Sequence, residues 1–365
     1  MNIKIFLLLL LCWAVGIQAF ASGIEQDEQK IEQDEQQAEE KFKPAEFILA
    51  HIGDAYEWHV TTIGHTHISI PLPVILYSGE SGFHVFFSSV FHHGEHEYKG
   101  FYIAKGGDYK GKIVEKNAQG AEIRPFDISL TKNVLALLIN SAILIWLILY
   151  LAKWYKTKPL EAPKGFRGAI EMLAISIQDD IIKPSIGKDY RKFTPYLLTV
   201  FFFIFLNNLM GLIPIFPGGA NTTGNIAITF VLALCTFLIV NIFGTKEYWK
   251  EIFKPDVPTW LKSPAFPLMP VLELFGVFTK PFALMVRLFA NILAGHSGIL
   301  AFMCLIFFVA KMGAGIATSM TVVSVLFSIF MNFLEILVAF IQAYVFVMLS
   351  AVFIGLARVE AHHHK

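Results

Sequence analysis

PFALMVRLFANILAGHSGIL, residues 281–300, places one arginine, Arg287, in an otherwise apolar run long enough to lie within a bilayer. Insertion scales put an arginine at mid-membrane at about 2.5–3.5 kcal/mol, so such a residue needs an anionic partner or a wet cavity. The run therefore predicts a membrane helix whose central charge has a use.

Outward from Arg287, two long apolar segments, Pro267–Ala310 and Ala317–Ala357, flank Lys311-Met312-Gly313-Ala314-Gly315. At about 1.5 Å per residue either would exceed the roughly 30 Å hydrocarbon core if upright, so the pair predicts a tilted antiparallel hairpin. Upstream, Val134–Ala152, Tyr196–Phe216 and Ile226–Phe243 predict three further spans. The fold class is mainly α, a polytopic membrane protein with about five membrane helices. Residues 153–192 hold nine Lys or Arg and Pro217–Asn225 none, while Lys246, Lys250, Lys254 and Lys262 follow the third span. Positive residues mark cytoplasmic loops, which puts the C-terminus in the cytoplasm. Phe166, Ile170, Leu173, Ile177 and Ile181 recur at helical spacing beside Glu171, Gln178, Asp179 and Asp180, predicting an interfacial helix.

The polar residues of the hairpin follow a pattern. Glu273, Lys280 and Arg287 are seven apart, near one helix face, and Asn291 follows at i+4; Glu335 and Gln342 are also seven apart. In an antiparallel pair, residues at equal height share a midpoint. Arg287/Gln342 and His296/Glu335 give 314.5 and 315.5, both in the Gly313–Gly315 turn. Gln342 is thus expected level with Arg287, and Glu335 level with His296 in the outer half, with Glu273 in the inner half. A histidine beside a carboxylate suits a proton relay, or else a static buried pair that fixes packing. An arginine cannot release its proton, so Arg287 reads as a gate charge between two half-paths. Lys280 fits either this face or simple interhelical bonding.

The N-terminal portion differs in kind. Residues 1–22 have Lys4, an apolar core Ile5–Val15 and Ala19-Phe20-Ala21, the pattern of a signal peptide with a cleavage site. Residues 23–44 repeat IEQDEQ and form an acidic tail with no core-building period. Residues 45–130 switch to short β-type runs, His65–Leu76, Phe83–Phe91, Tyr98–Ala104 and Lys112–Glu115, an exported β-rich segment; 131–365 form the membrane domain. Eight of twelve histidines lie in the β-rich segment. His65/His67 and His92/His93 with His96 are imidazole pairs of a kind that binds metals, but they match no defined zinc spacing, and a surface or packing role is the favoured reading; no metal or cofactor is assigned. Cysteines at 12, 235 and 304 offer the exported segment no disulfide framework. Zero net charge argues against a nucleic-acid partner.

Lys280-Pro281 through Arg287-Leu288-Phe289-Ala290-Asn291 and Ala294-Gly295, with Phe205-Leu206-Asn207-Asn208-Leu209-Met210-Gly211-Leu212-Ile213-Pro214 and Ile341-Gln342-Ala343-Tyr344, closely resembles the signature of subunit a of F-type ATP synthases. The resemblance covers about 130–360. It implies that Arg287 meets the carboxylates of a c-subunit ring in turn, with Asn291 and Gln342 shaping that contact. His296 and Glu335 fall at two outer-channel positions, Glu273 near the inner path, and Asn208 at a polar position of the preceding span. It further implies b subunits of a peripheral stalk and the rest of the enzyme as partners, no catalytic site in this chain, and a multi-pass place in an inner membrane with the N-terminal segment outside. The histidine and acid are exchanged relative to many bacterial members, as in mitochondrial ones. About 110 residues beyond the signal precede the first span where the family usually has a short segment. These residues would cover the outer half-channel or touch a neighbouring subunit.

A sodium-translocating version of the same subunit is the nearest alternative. A self-contained transporter would show inverted repeats, yet the arginine segment has no second copy. A membrane scaffold would rely on interhelical hydrogen bonds averaging about 0.6 kcal/mol, too little to offset a central arginine.

Overall fold

The structure is a computed structural model that describes residues 48, 53–63, 66–79, 81–94, 96–117, 120–213, 216–253, 268–309 and 314–358. The expected signal peptide at 1–22, the acidic stretch 23–44, His51, His65, Lys254, Lys262, Lys311–Gly313 and the histidine run at 362–364 lie outside the described residues.

Alternating side chains build the N-terminal segment. In β3 (Pro73–Ser78), Val74, Leu76 and Ser78 point into the core while Tyr77 faces outward. β3 is the centre of a three-stranded antiparallel sheet with β4 (Gly82–Phe87) and β8 (Phe126–Asp127). β1 (Glu57–Ile63) and β2 (Thr66–Pro71) form a hairpin, and β5 (Phe101–Ile103), β6 (Ile113–Lys116) and β7 (Glu122–Ile123) a third sheet. Val74, Leu76, Phe91, Phe101 and Ile113 pack around Tyr56, whose hydroxyl donates to Asp127 at 2.5 Å. Burial, together with the Asp127 carboxylate, pushes the Tyr56 hydroxyl well above the usual tyrosine range.

Three of the sequence-predicted strands are cut differently. His65–Leu76 is two strands in different sheets, parted at Leu72 between Pro71 and Pro73, neither of which has an N–H for a ladder. Phe83–Phe91 leaves the strand at Ser88, whose Oγ accepts from Leu72 N (3.0 Å), and continues as a 3₁₀ helix, Ser88–Gly94. Tyr98–Ala104 shortens to β5 because Lys99 and Gly100 turn the chain back at φ 51° and 82°, pairing Tyr98 with Phe101. β1 was not anticipated, although Trp58-His59-Val60-Thr61-Thr62 carries its β-branched signal. The outer face of the β4–β3–β8 sheet leaves Tyr77, Phe83, Val85, Phe87 and Phe126 exposed. An uncovered apolar face of this kind marks an interaction surface.

The rest is helical: α1 (Lys132–Thr157), α2 (Phe166–Ser176), a π-helical turn (Ile177–Ile182), α3 (Lys183–Ile186), α4 (Tyr190–Gly211), α5 (Ile226–Ile242), α6 (Lys246–Phe253), α7 (Leu268–Val309) and α8 (Ala314–Ala357). Four helical stretches are long and apolar enough to cross a membrane, and α5 with α6, bent by 99°, makes a fifth if counted as one span. The interfacial stripe of α2 splits. Phe166 stays exposed, whereas Ile170, Ile177 and Ile181 join Leu197, Phe201, Leu284, Leu288 and Val347 in the helical core. At one end of the helices Arg358 pairs with Asp189 and donates to Phe243 O (3.3 Å), while Thr245 N donates to Ala357 O (2.9 Å). The opposite end carries the β segment, tied on by Lys132 N to Ala55 O (2.8 Å) and Asn133 N to Asp54 Oδ1 (3.1 Å).

The hairpin register agrees with the arithmetic of equal heights. His296 meets Glu335, Phe302 meets Phe327, Gly298 faces Met331 and Lys280 lies over Phe353, with midpoints of 315.5, 314.5, 314.5 and 316.5. Arg287 and Gln342, midpoint 314.5, fall between the Lys280 and His296 contacts. α8 already begins at Ala314, so Ala314 and Gly315 belong to the helix rather than to the turn.

Gly355 lets α8 cross α3 at backbone distance, because a Cβ there would collide with the Ser185 carbonyl. Backbone cannot yield as a side-chain tip can. Gly355→Val is therefore expected to destabilise the helical part by about 1–3 kcal/mol, read as a lower thermal midpoint in detergent; an unchanged midpoint would contradict the crossing.

Candidate functional site

α7 and α8 each divide into a packed and an open face. Leu284, Met285, Leu288 and Ile292 are buried against the neighbouring helices. Arg287 and Asn291 lie on the exposed side with Ala283, Ala290 and Ala294, which leaves the backbone around the guanidinium approachable. Phe330, Phe333, Leu337 and Ile341 continue the open face on α8. Among the described residues Arg287 makes no hydrogen bond or ion pair. Gln342, by contrast, is buried at 8% exposure on the packed side of α8.

Nine residues beyond Arg287, or about 13 Å along the helix, His296 places Nδ1 3.0 Å from Oε1 of Glu335, whose side chain is 5% exposed. Gly295 makes the approach possible: a Cβ there would lie 2.9 Å from the same oxygen. The contact is an ion-pair distance without hydrogen-bond geometry, and neither carboxylate oxygen of Glu335 accepts a hydrogen bond from the described residues. On its other side, the His296 ring lies against Gly211 at the end of α4, beside the Ala220 carbonyl.

A buried polar ladder reaches the same level. Asn140 Nδ2 and Thr222 Oγ1 both donate to Asn207 Oδ1 (3.0 Å each), and Asn207 donates back to Phe203 O (2.8 Å). Thr223 Oγ1 donates to Asn208 Oδ1 (2.5 Å), and Asn208 Nδ2 reaches Ala339 O (3.3 Å). Ala339 lies one turn from both Glu335 and Gln342, so Asn208 joins α4 to the polar face of α8. Sequence reasoning named Asn208 but missed Asn140, Asn207, Thr222 and Thr223. Their signal was available as polar side chains inside or beside apolar spans, which must pair when buried.

Glu273 and Lys280 sit at the other end, apart from the His296/Glu335 pair. Glu273 is near Tyr248 of α6. Lys280 and Tyr248 line a small cavity of about 20 Å³ with Thr236, Asn241, Pro281 and Phe353. The structure thus separates the sequence-predicted residues into an open charged face, a buried pair with its ladder, and a small polar cavity near the basic end. In the β segment the His92 and His96 rings meet edge-on at 4.9 Å. Among the described residues no three His, Cys, Asp or Glu side chains are grouped to hold a metal.

Residues 134–355 match the family model "ATP synthase A chain". The chain belongs to the ATP synthase A chain family. Residues 47–131 match a second model, described as a domain of unknown function (DUF8433). The chain is 43% identical to "ATP synthase subunit a" of Chlorobium phaeobacteroides over 239 residues, 65% of this chain and 68% of the relative. It is 42% identical to "ATP synthase subunit a 2" of Chlorobaculum tepidum, covering 67% of each. The "ATP synthase subunit a" of Myxococcus xanthus is 39% identical over 65% of this chain and 76% of its own length. The family is a polytopic membrane one, in keeping with the apolar helices.

Asn140 and Thr222 share one acceptor, so they are not independent. A double-mutant cycle of Asn140→Leu and Thr222→Val, followed by detergent unfolding, is expected to return a coupling of about 0.6 kcal/mol and no more than about 1.7. Strict additivity would mean that the ladder is not formed.

Proposed function

We propose that this chain is the ion-translocating stator of an F-type ATP synthase: Arg287 is the gate charge that meets the carboxylates of a rotating c ring, between two offset half-paths for protons. The observation that carries the reading is Arg287 on an open apolar face with no anion beside it among the described residues. A mid-membrane arginine costs about 2.5–3.5 kcal/mol unless a partner compensates it. Glu335 is engaged by His296, and Glu273 is fourteen residues away, about 21 Å along the helix. The compensating carboxylate then comes from another subunit, and Ala283, Ala290 and Ala294 leave room for its helix.

The outer half-path runs by the Asn140/Asn207/Thr222 and Thr223/Asn208 ladder to His296 and Glu335. A histidine beside a buried carboxylate exchanges a proton near neutral pH. The inner half-path runs by the polar cavity of Tyr248, Asn241 and Lys280 toward Glu273. Arg287 keeps its proton, so it separates the two paths instead of relaying between them. Asn291, one turn from Arg287, and Gln342, at its height, set the polar surroundings of the contact. A ring carboxylate passes the guanidinium deprotonated, takes a proton from one path and delivers it to the other after a turn of the ring. The His296/Glu335 pair favours protons over sodium, for which a cage of oxygen ligands would be needed. The b subunits and the rest of the enzyme complete the stator around the uncovered apolar faces. The basic end of the helices is cytoplasmic and the β segment lies outside the inner membrane, as charge placement requires.

In vesicles carrying the assembled complex, Arg287→Ala is expected to abolish ATP-driven proton pumping with normal assembly, and to add passive leak if the half-paths join. Wild-type pumping in that variant would overturn the reading. Gly295→Ala, which pushes on Oε1 of Glu335, is expected to slow pumping several-fold in sodium-free buffer while leaving assembly intact; an unchanged rate would remove the His296/Glu335 pair from the path.

A further inference from the structure

The β segment meets the helical part at one apolar contact. Trp58, 3% exposed, packs with Ile70 of β2 against Leu135 and Ala136 of α1 and against Ala220. Its ring also meets Phe216 edge-on, with centroids 5.1 Å apart. Phe216 and Ala220 both belong to the connection between α4 and α5. That connection carries Thr222 and Thr223, the donors to Asn207 and Asn208, and its Ala220 carbonyl stands beside the His296 ring at Gly211. Ala220 thus shares the Trp58 cluster, and its carbonyl and the His296 ring both approach Gly211.

Among the described residues the connection is held to α4 by the Thr222 and Thr223 bonds, and Trp58 is the apolar contact on its outer side. Its internal hydrogen bonds are short-range, Gly219 N to Met210 O (3.2 Å), Thr222 N to Ala220 O (2.9 Å), Gly224 N to Asn221 Oδ1 (2.9 Å) and Asn225 N to Thr222 O (3.2 Å). A short connection with few buried apolar contacts opens locally more easily than the helices it joins, so packing on its outer side steadies it. Trp58 supplies that packing, and the β segment is fixed in turn by Asp54 and Ala55 at the start of α1.

We propose that the N-terminal β segment is the roof of the outer half-path, in which Trp58 pins the Phe216–Thr223 connection so that Thr222, Thr223 and His296 keep the geometry through which protons reach Glu335. This rests on the proton-path reading above and gives a role to a segment whose family has none assigned. Trp58 is a positioning residue; it touches no transported ion.

The test uses the full chain in the assembled complex in vesicles. Ala220→Cys, in a Cys235→Ala, Cys304→Ala background, reports exposure of the connection to a membrane-impermeant maleimide. Pumping is measured separately, without that reporter. Trp58→Ala is expected to speed labelling at least tenfold and to slow ATP-driven pumping several-fold at equal amounts of complex, with Trp58→Phe restoring both in large part. If Trp58→Ala fails to assemble, Phe216→Ala loosens the same contact from the other side and is expected to raise labelling several-fold and slow pumping. Unchanged labelling overturns the roof, because the contact would then not hold the connection. Faster labelling with wild-type pumping overturns its bearing on the path. Wild-type pumping in Arg287→Ala would instead sink the stator reading, and the labelling result would still decide whether Trp58 holds the connection.

Discussion

Hydrocarbon offers no hydrogen bonds and no counter-charge, so every polar group within the helices must find a partner in the protein or in another subunit. The helical part satisfies much of this constraint within itself. Asn140, Asn207 and Thr222 share one ladder, Asn208 is held between Thr223 and Ala339, and Glu335 is met by His296. Glu335, Ser324 and Ser328 keep buried oxygens without a hydrogen bond among the described residues, and Arg287 is the full charge left on the open face. The packed face of α7 and α8 carries the buried polar groups, and their open face carries the charge.

The packed face is also what fixes the height of each group. A tilted hairpin of two helices of 42 and 44 residues could slide by a turn without losing much apolar contact. The His296/Glu335 pair and Gly295 forbid that, because a slip of one turn would leave a carboxylate in an apolar surround with no partner, a cost of several kcal/mol. Polar pairing thus sets register where apolar packing alone would not. Register in turn decides that Gln342 lies at the height of Arg287.

Much of this was legible in the sequence because the signals are one-dimensional. Span lengths follow from bilayer thickness, and hairpin register from numbers that share a midpoint. The β segment was read less well. Its runs were visible, but Leu72 between two prolines, and the tight turn at Lys99 and Gly100, decide where a strand stops, and a hydrophobic pattern does not report them. The polar ladder was half legible: Asn208 stood out, whereas Thr222 and Thr223 lie in a connection that reads as an ordinary loop until the fold brings it over α4. Trp58 was invisible as a contact, since nothing in residues 57–63 indicates that the ring will reach Ala136 and Ala220.

That last contact changes how the two parts of the chain relate. A β segment joined only by its linker would be free to act independently of the helices, and its loss would cost nothing at His296. Here the joint is made at the connection that carries two donors of the polar ladder. Displacing the segment removes packing from Ala220 and loosens Thr222 and Thr223 together, because they sit on the same short connection. The physical coupling therefore runs from an apolar contact of the β segment to the hydrogen bonds between the helices, through fewer than ten residues of backbone.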